Sequence, residues 1–291
     1  MTDNCKVIQK AKTSEIEGDT DGNYILWHRR YGHISKQNLD KLKKGNMVKG
    51  IDNFTNQSLN CIDCTRGKQN KKSFPTFETG NRKYEPLDLI HTDLCGKISP
   101  LSLGGASYFL IFVDDKTKYL WVYPLRSKSE SFEKFRLWKL QIENQINRRI
   151  KILRSDNGGE FCGFNFEKFL MEEGIIHQKT IPKTPEQNGV AERYMQTICN
   201  KVRSMLSDSK LPQQYWAEAL MTAAYIINRS PSASLENVTP YEALYGVKPS
   251  VKHFRVFGSL CEIHIPREER NKFDFKTERG IFTGYSSEVK G

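Results

Sequence analysis

Between residues 84 and 180 the hydrophobic pattern switches repeatedly between a strand period and a helix period, and that alternation limits the folds open to the chain. LDLIHTDL, YFLIFVDD and YLWVYPL are short runs rich in β-branched and aromatic residues, separated by turn material such as SLGG and KT. A helical stretch follows over about 129–147, with Phe132, Phe135, Trp138, Leu140 and Ile142 on or near one face. RRIKILRSD then reads as a fourth strand, FNFEKFLMEEG as a helix closed by Gly174, and IIHQKTI as a fifth strand. Three strands, a helix, a strand, a helix and a strand predict an α/β unit, a mixed sheet flanked by helices. After PKTPEQNG, a long helix is expected over about 190–207 and more helix over 213–228. Strand-like material returns in FRVFGSLCEIHI and GIFTGYSS, which reads as the start of a small β-barrel in a fragment of a longer chain.

At 291 residues with 16 Phe, 12 Tyr and 4 Trp, the chain can bury at least one sizeable core. No apolar run approaches the roughly 18 residues that a membrane span needs. The first 23 residues are polar and aperiodic and lack the apolar segment of a secretion signal, so they read as a flexible lead-in to a soluble intracellular protein. The seven cysteines are odd in number and mostly far apart, which argues for reduced thiols over a disulfide scaffold. Net charge is +11, and residues 28–83 hold 13 Lys and Arg against 4 Asp and Glu. Such clustering attracts polyanions through counterion release, although a basic face can also serve solubility alone.

Within that basic stretch, four residues separate His28 from His33 and two separate Cys61 from Cys64. A C-x-x-C turn can aim two sulfurs at one ion, and a nearby histidine pair can complete a tetrahedral zinc site. A unit of some 40 residues has too little core to stand alone, so a metal would act as its staple. With all four positions filled by protein, such a site is structural. Two histidines without the cysteine pair would more often be ordinary surface residues.

Three acidic residues stand out for a different chemistry. Asp93 lies at the end of the first strand, Asp156 ends the fourth, and Glu192 lies near the start of the long helix. If the first and fourth strands are neighbours, the two aspartates meet and the helix can bring Glu192 over them. Three close carboxylates repel unless cations neutralise them, and hard oxygen ligands suit Mg²⁺ or Mn²⁺. Two such ions can support in-line phosphoryl transfer. Asp114 and Asp115, closing the second strand, are rival ligands, and Glu160 and Glu186 are close by in sequence.

Taken together, WHRRYGHIS, CIDCTRGKQ, HTDLCG, RSDNGGEF, PKTPEQNGVAER, PYEALYGVKPS and FRVFGS resemble the integrase of copia-type LTR retrotransposons, a relative of retroviral integrases. The resemblance covers about residues 27–285, with no departure at the seven positions above. It implies an HHCC zinc-binding, GAG-pre-integrase-like module over 24–75, behind the lead-in at 1–23. An RNase H-like catalytic core over 84–250 and a partial SH3-like β domain over 251–291 follow. By the same resemblance, Asp93, Asp156 and Glu192 are catalytic ligands of two Mg²⁺ or Mn²⁺ ions, while His28, His33, Cys61 and Cys64 hold one structural Zn²⁺. The implied reaction is DNA strand transfer, in which a cDNA 3′-hydroxyl attacks a target phosphodiester and no side chain is the nucleophile. The implied partners are cDNA ends, target DNA and further copies of the chain, at least a tetramer on DNA. The implied location is the nucleus, after assembly in cytoplasmic particles. An RNase H-like nuclease and a domesticated, non-catalytic DNA-binding protein are the competing readings.

Around this site, Pro182, Pro185 and Gly189 frame a segment expected to settle over a DNA end. Asn157, Lys183, Gln187, Asn188 and Arg193 are candidate DNA contacts; Arg193 is equally placed for a structural ion pair. Cys95 shares a strand face with Asp93 by alternation and is read as packing, and the region around Trp216, Tyr225 and Ile226 is read as core or a subunit interface.

Overall fold

The computed structural model of the chain describes residues 6–9, 24–51, 61–68, 84–179 and 189–285. Its central sheet is built from β2 (Leu89–Gly96), β3 (Tyr108–Asp114), β4 (Leu120–Leu125), β5 (Ile152–Ser155) and β6 (Ile176–Lys179), in the spatial order β4-β3-β2-β5-β6. The first three strands form an antiparallel meander, while β5 and β6 add in parallel. Parallel pairing needs a crossover, and α4 (Glu130–Ile146) and α5 (Phe164–Glu172) supply the two crossings. The mixed sheet expected from the alternation of periods is therefore present.

On one side of the sheet an aromatic core forms where Phe112 stacks on Trp138 at 4.1 Å between ring centroids, with Phe135 and Phe166 stacked at 5.2 Å beyond. The helical stripe of α4 is Phe135, Trp138 and Ile142, which are buried, whereas Leu140 is 63% exposed. Leu140 was expected on the buried face. It stands two residues from both Trp138 and Ile142, about 200° round a 3.6-residue helix, and so points outward.

The other side is covered by α6 (Gly189–Ser209) and α7 (Trp216–Ile227), which follows a single 3-10 turn. Ala191, Ile198 and Met205, seven residues apart, carry the buried stripe of α6. Almost every residue of α7 is buried, between α6, β4 and a second sheet. Trp216 and Tyr225 thus pack, as expected; the Trp216 ring N–H donates to the carbonyl of Pro100 at 3.1 Å.

The N-terminal unit consists of α1 (Tyr24–Arg30), α2 (Lys36–Lys44) and α3 (Ile62–Lys68). Ser35 caps α2 by accepting from the amide of Asn38, and Leu39 and Leu42 are fully buried, as the sequence indicated. The core of this unit is not its own. Tyr24, Trp27, Tyr31, Leu39, Leu42 and Met47 close only with Ile226 from α7 and with Val251 and Phe254, which follow α8 (Pro240–Tyr245).

A second, three-stranded sheet has the order β1-β8-β7, from Lys6–Gln9, Thr277–Gly284 and Leu260–His264. Two expectations change here. Within the lead-in assigned to 1–23, Lys6–Gln9 forms a strand antiparallel to β8, because KVIQ has β-branched content but finds its partner only at the far end of the chain. At the other end, strand structure begins at Leu260, and Phe254, Val256 and Phe257 of the preceding FRVF are buried by packing without being a strand. Among the described residues, no helix is long and apolar enough to cross a membrane.

Candidate active site and metal centre

Strand register brings the first two acids together. Parallel β2 and β5 pair Leu89 with Ile152, Ile90 with Leu153 and His91 with Arg154. Continued by two residues, that register sets Asp93 level with Asp156. Glu192 lies in the first turn of α6, the helix that packs across β2 and β3. Tyr194, two residues on, ties this end of the helix down by donating its hydroxyl to the carbonyl of Lys118 at 2.9 Å.

The three carboxylates feel one another. Burial, then repulsion from Asp156 and more weakly from Glu192 and Glu160, pushes the Asp93 carboxyl up to about 6, against the lowering effect of the Leu94 amide. That amide donates to Asp93 Oδ1 at 2.8 Å, and the Gly158 amide donates to Asp156 Oδ1 at 3.0 Å. These bonds orient both carboxylates without neutralising them. Among the described residues, Glu160 is the only one of the four acids with an ion-pair partner, Lys128 at 3.7 Å.

Gly158 is there for closeness: a Cβ on it would lie 2.8 Å from Glu160 Cδ and 3.0 Å from Asp156 Oδ1. The turn thereby brings Glu160 in as a fourth acid, which its proximity in sequence had raised. A mutually repelling cluster of aspartate and glutamate oxygens suits hard divalent cations.

The rival aspartates are occupied elsewhere. Asp114 is fully buried and accepts from the Leu87 amide and from both the amide and the hydroxyl of Thr117, at 2.6–2.8 Å. Asp115 takes the His91 ring nitrogen at 2.9 Å and Lys118 at 3.3 Å. Burial pushes its carboxyl up, but these partners outweigh that and hold it down at about 2. Both aspartates therefore serve the β3–β4 turn.

Of the candidate DNA contacts, Asn157 and Arg193 are exposed beside Asp156 and Glu192. Lys183, Gln187 and Asn188 lie outside the described residues, as do Pro182, Pro185 and Glu186. Cys95 and Cys199 of α6 both pack against the core, in line with a packing role.

At the N-terminal unit, all four candidate zinc ligands converge. His28, His33, Cys61 and Cys64 each offer one atom, and these atoms lie within 4.8 Å of one another. Helix α1 supplies His28, but His33 comes from the turn after it. Gly32 and His33 both adopt left-handed backbone, with φ of 56° and 64°, which folds His33 back so that its amide bonds the His28 carbonyl at 2.8 Å. The His28 Nδ1–H donates to the Ile34 carbonyl at 2.6 Å, leaving Nε2 to face Cys64 Sγ at 3.3 Å. His33 Nδ1 stands 3.2 Å from His28 Nε2 and 3.3 Å from Cys61 Sγ. Tetrahedral zinc with its usual bond lengths needs donors roughly 3.3–3.8 Å apart; the donor types suit that ion, and the three contacts at 3.2–3.3 Å lie near this spacing.

Two aspartates from neighbouring strands, Asp93 within β2 and Asp156 just past β5, beneath a helix that carries a third acid and alongside an HHCC cluster, form the arrangement of integrase-type polynucleotidyl transferases. The GAG-pre-integrase domain matches residues 3–69, the integrase core domain 83–185 and the retroviral polymerase SH3-like domain 259–291. The chain belongs to the integrase region of retrovirus-related Pol polyproteins of copia-type transposons. It is 42% identical over 287 residues to the Pol polyprotein from transposon TNT 1-94 of Nicotiana tabacum, covering 99% of this chain and 21% of that protein. It is 35% identical over 261 residues to that from transposon RE2 of Arabidopsis thaliana, covering 89% and 17%. The chain thus spans about a fifth of the length of these relatives. Among solved structures it is similar to the HTLV-2 integrase catalytic core domain in complex with magnesium, at 18% identity and a TM-score of 0.43, over 56% of this chain and all of that one. It is also similar to the BIV integrase core domain, at 19% and 0.40, over 55% and 95%.

Proposed function

We propose that this region performs divalent-metal-dependent DNA strand transfer, with Asp93, Asp156 and Glu192 as the ligand set. The observation that carries the reading is the β2–β5 register, which levels Asp93 with Asp156 beneath the helix bearing Glu192. Two Mg²⁺ or Mn²⁺ ions bound there would favour attack by a DNA 3′-hydroxyl on a target phosphodiester and stabilise the departing oxygen. The chain's own residues set the geometry. The Leu94 and Gly158 amides fix one oxygen of each aspartate, and the Tyr194 hydroxyl holds the start of α6 in place. No side chain here is the nucleophile.

His28, His33, Cys61 and Cys64 hold one Zn²⁺ that stiffens the N-terminal unit. Its exposed Lys41, Lys43, Lys44 and Lys49 offer a basic face to DNA phosphates, and Asn157 and Arg193 offer contacts beside the acids. Joining two cDNA ends requires several copies of the chain acting together in the nucleus, at least four on DNA.

The test is an assay with blunt donor ends and a plasmid target. The wild-type chain should give joined products that require Mg²⁺ or Mn²⁺. Glu192→Gln should lose joining by more than a hundredfold yet bind donor DNA normally. Normal joining by Glu192→Gln would remove it from the ligand set, and fragments without joined products would favour the nuclease reading.

A further inference from the structure

The last turn of α6 carries Asp208, where a negative charge opposes the helix dipole. Such a residue needs partners, and Asp208 takes both from the N-terminal unit. Arg29 Nε lies 2.8 Å from its Oδ2, and His33 Nε2 stands 3.6 Å from the same oxygen, an ion-pair distance looser than a close hydrogen bond. The His33 side chain is 1% exposed and that of Asp208 16%, so this contact lies inside the seam between the unit and the core.

The two histidines are oriented from different places. His28 has its Nδ1 proton engaged by Ile34, six residues away, which turns Nε2 toward the other donors. His33 shows the opposite use of its ring: Nδ1 faces Cys61 and His28, and Nε2 faces Asp208. A carboxylate at the distal nitrogen of a ligating histidine fixes the tautomer and raises the basicity of the nitrogen that binds metal.

We infer that Asp208 is a positioning residue for the HHCC metal centre, so that the helix bearing Glu192 at its start orients a metal ligand at its end. This rests on the zinc reading proposed above. It makes metal affinity of the N-terminal unit depend on a core residue. Lys201, which donates to the carbonyls of Tyr31 and Gly32 at 3.0 and 3.3 Å, and Ser207, which donates to Asp63 at 2.7 Å, hold the same helix against the same unit.

Zinc affinity of the full chain, measured by competition with a chromophoric chelator, tests this. The wild type should bind one zinc, and Asp208→Ala should bind it about tenfold to a hundredfold more weakly. Asp208→Glu should recover part of the loss. Arg203→Gln is the control, since Arg203 reaches the unit through the Gly67 carbonyl at 3.5 Å without touching a ligand. Its affinity should stay within about threefold of wild type. If Asp208→Ala does not fold, Asp208→Asn, which keeps the shape and removes the charge, should still show a loss of about threefold to tenfold. The inference is overturned if the Asp208 variants bind zinc as the wild type does, or if Arg203→Gln weakens binding as much as Asp208→Ala. A wild-type chain that binds no zinc would overturn the metal centre itself, and this role with it.

Discussion

The N-terminal unit and the central sheet solve the same problem in opposite ways. The sheet buries Phe112, Phe135, Trp138, Phe161 and Phe166 among themselves, from elements lying between residues 108 and 172. The unit of α1 to α3 buries Trp27, Tyr31 and Leu39, yet closes only with Ile226, Val251 and Phe254 from the other end of the chain, and gathers four metal-type donors besides. Core volume explains the difference: a few helical turns cannot remove enough apolar surface from water to offset their ordering entropy. The lesson is that the unit's stability is conditional on a neighbour and, under the proposed function, on a metal, while the aromatic core of the sheet closes on itself.

Metal removal should break this comparison most visibly. Chelation, or Cys64→Ala, is expected to unfold residues 24–51, since structural zinc contributes on the order of 10 kcal/mol to comparable small units. The sheet should survive with a lowered melting temperature, because Ile226, Val251 and Phe254 lose their cover. Hydrogen exchange with and without chelator reads both effects, and unchanged protection of residues 24–51 would place the unit's stability elsewhere.

A smaller effect should come from Trp138→Ala. Removing a ring stacked on Phe112 from a self-contained core should cost about 3–5 kcal/mol in denaturant unfolding. Zinc stoichiometry should not change. If the variant also lost zinc, the two regions would be more strongly coupled than their packing indicates.

The smallest effect concerns the acids. Burial and neighbouring charge raise Asp93 from 3.8 to about 6, so the folded state prefers its protonated form. The associated stability is complete below pH 3.8 and is lost as pH rises through about 6. Metal-free Asp93→Asn, which mimics the protonated form, should therefore be more stable than wild type above pH 6, by about 3 kcal/mol, and equally stable near pH 3.8. Added Mg²⁺ should stabilise the wild type and not the variant. Melting curves at pH 4 and pH 7.5, with and without Mg²⁺, measure this; a variant no more stable at pH 7.5 would mean the acids do not repel as placed.

What was legible in the sequence follows from locality. Five strands and the helices between them could be read because hydrophobic period is written within a few residues of each element. Ser35 as a cap, Gly174 as a helix end and the short spacings within His28–His33 and within Cys61–Cys64 were legible for the same reason. Leu140 misled because a helix face is narrower than a list of nearby apolar residues.

Relations between distant segments were decided only by the folded chain. The sequence placed Asp93 and Asp156 at strand ends. Asp156 does follow the last residue of β5, but Asp93 sits inside β2, whose pairing with β3 runs on to Gly96. Sheet order decided that the two strands are neighbours in a register that levels the acids. The sequence likewise offered Asp114 and Asp115 on equal terms, and only the folded turn, with Thr117, His91 and Lys118 in place, committed them to structure. The pairing of Lys6–Gln9 with the last strand, and the reach of Asp208 to His33, leave no local trace. Contacts that close long loops depend on three-dimensional packing, which hydrophobic period and spacing do not encode.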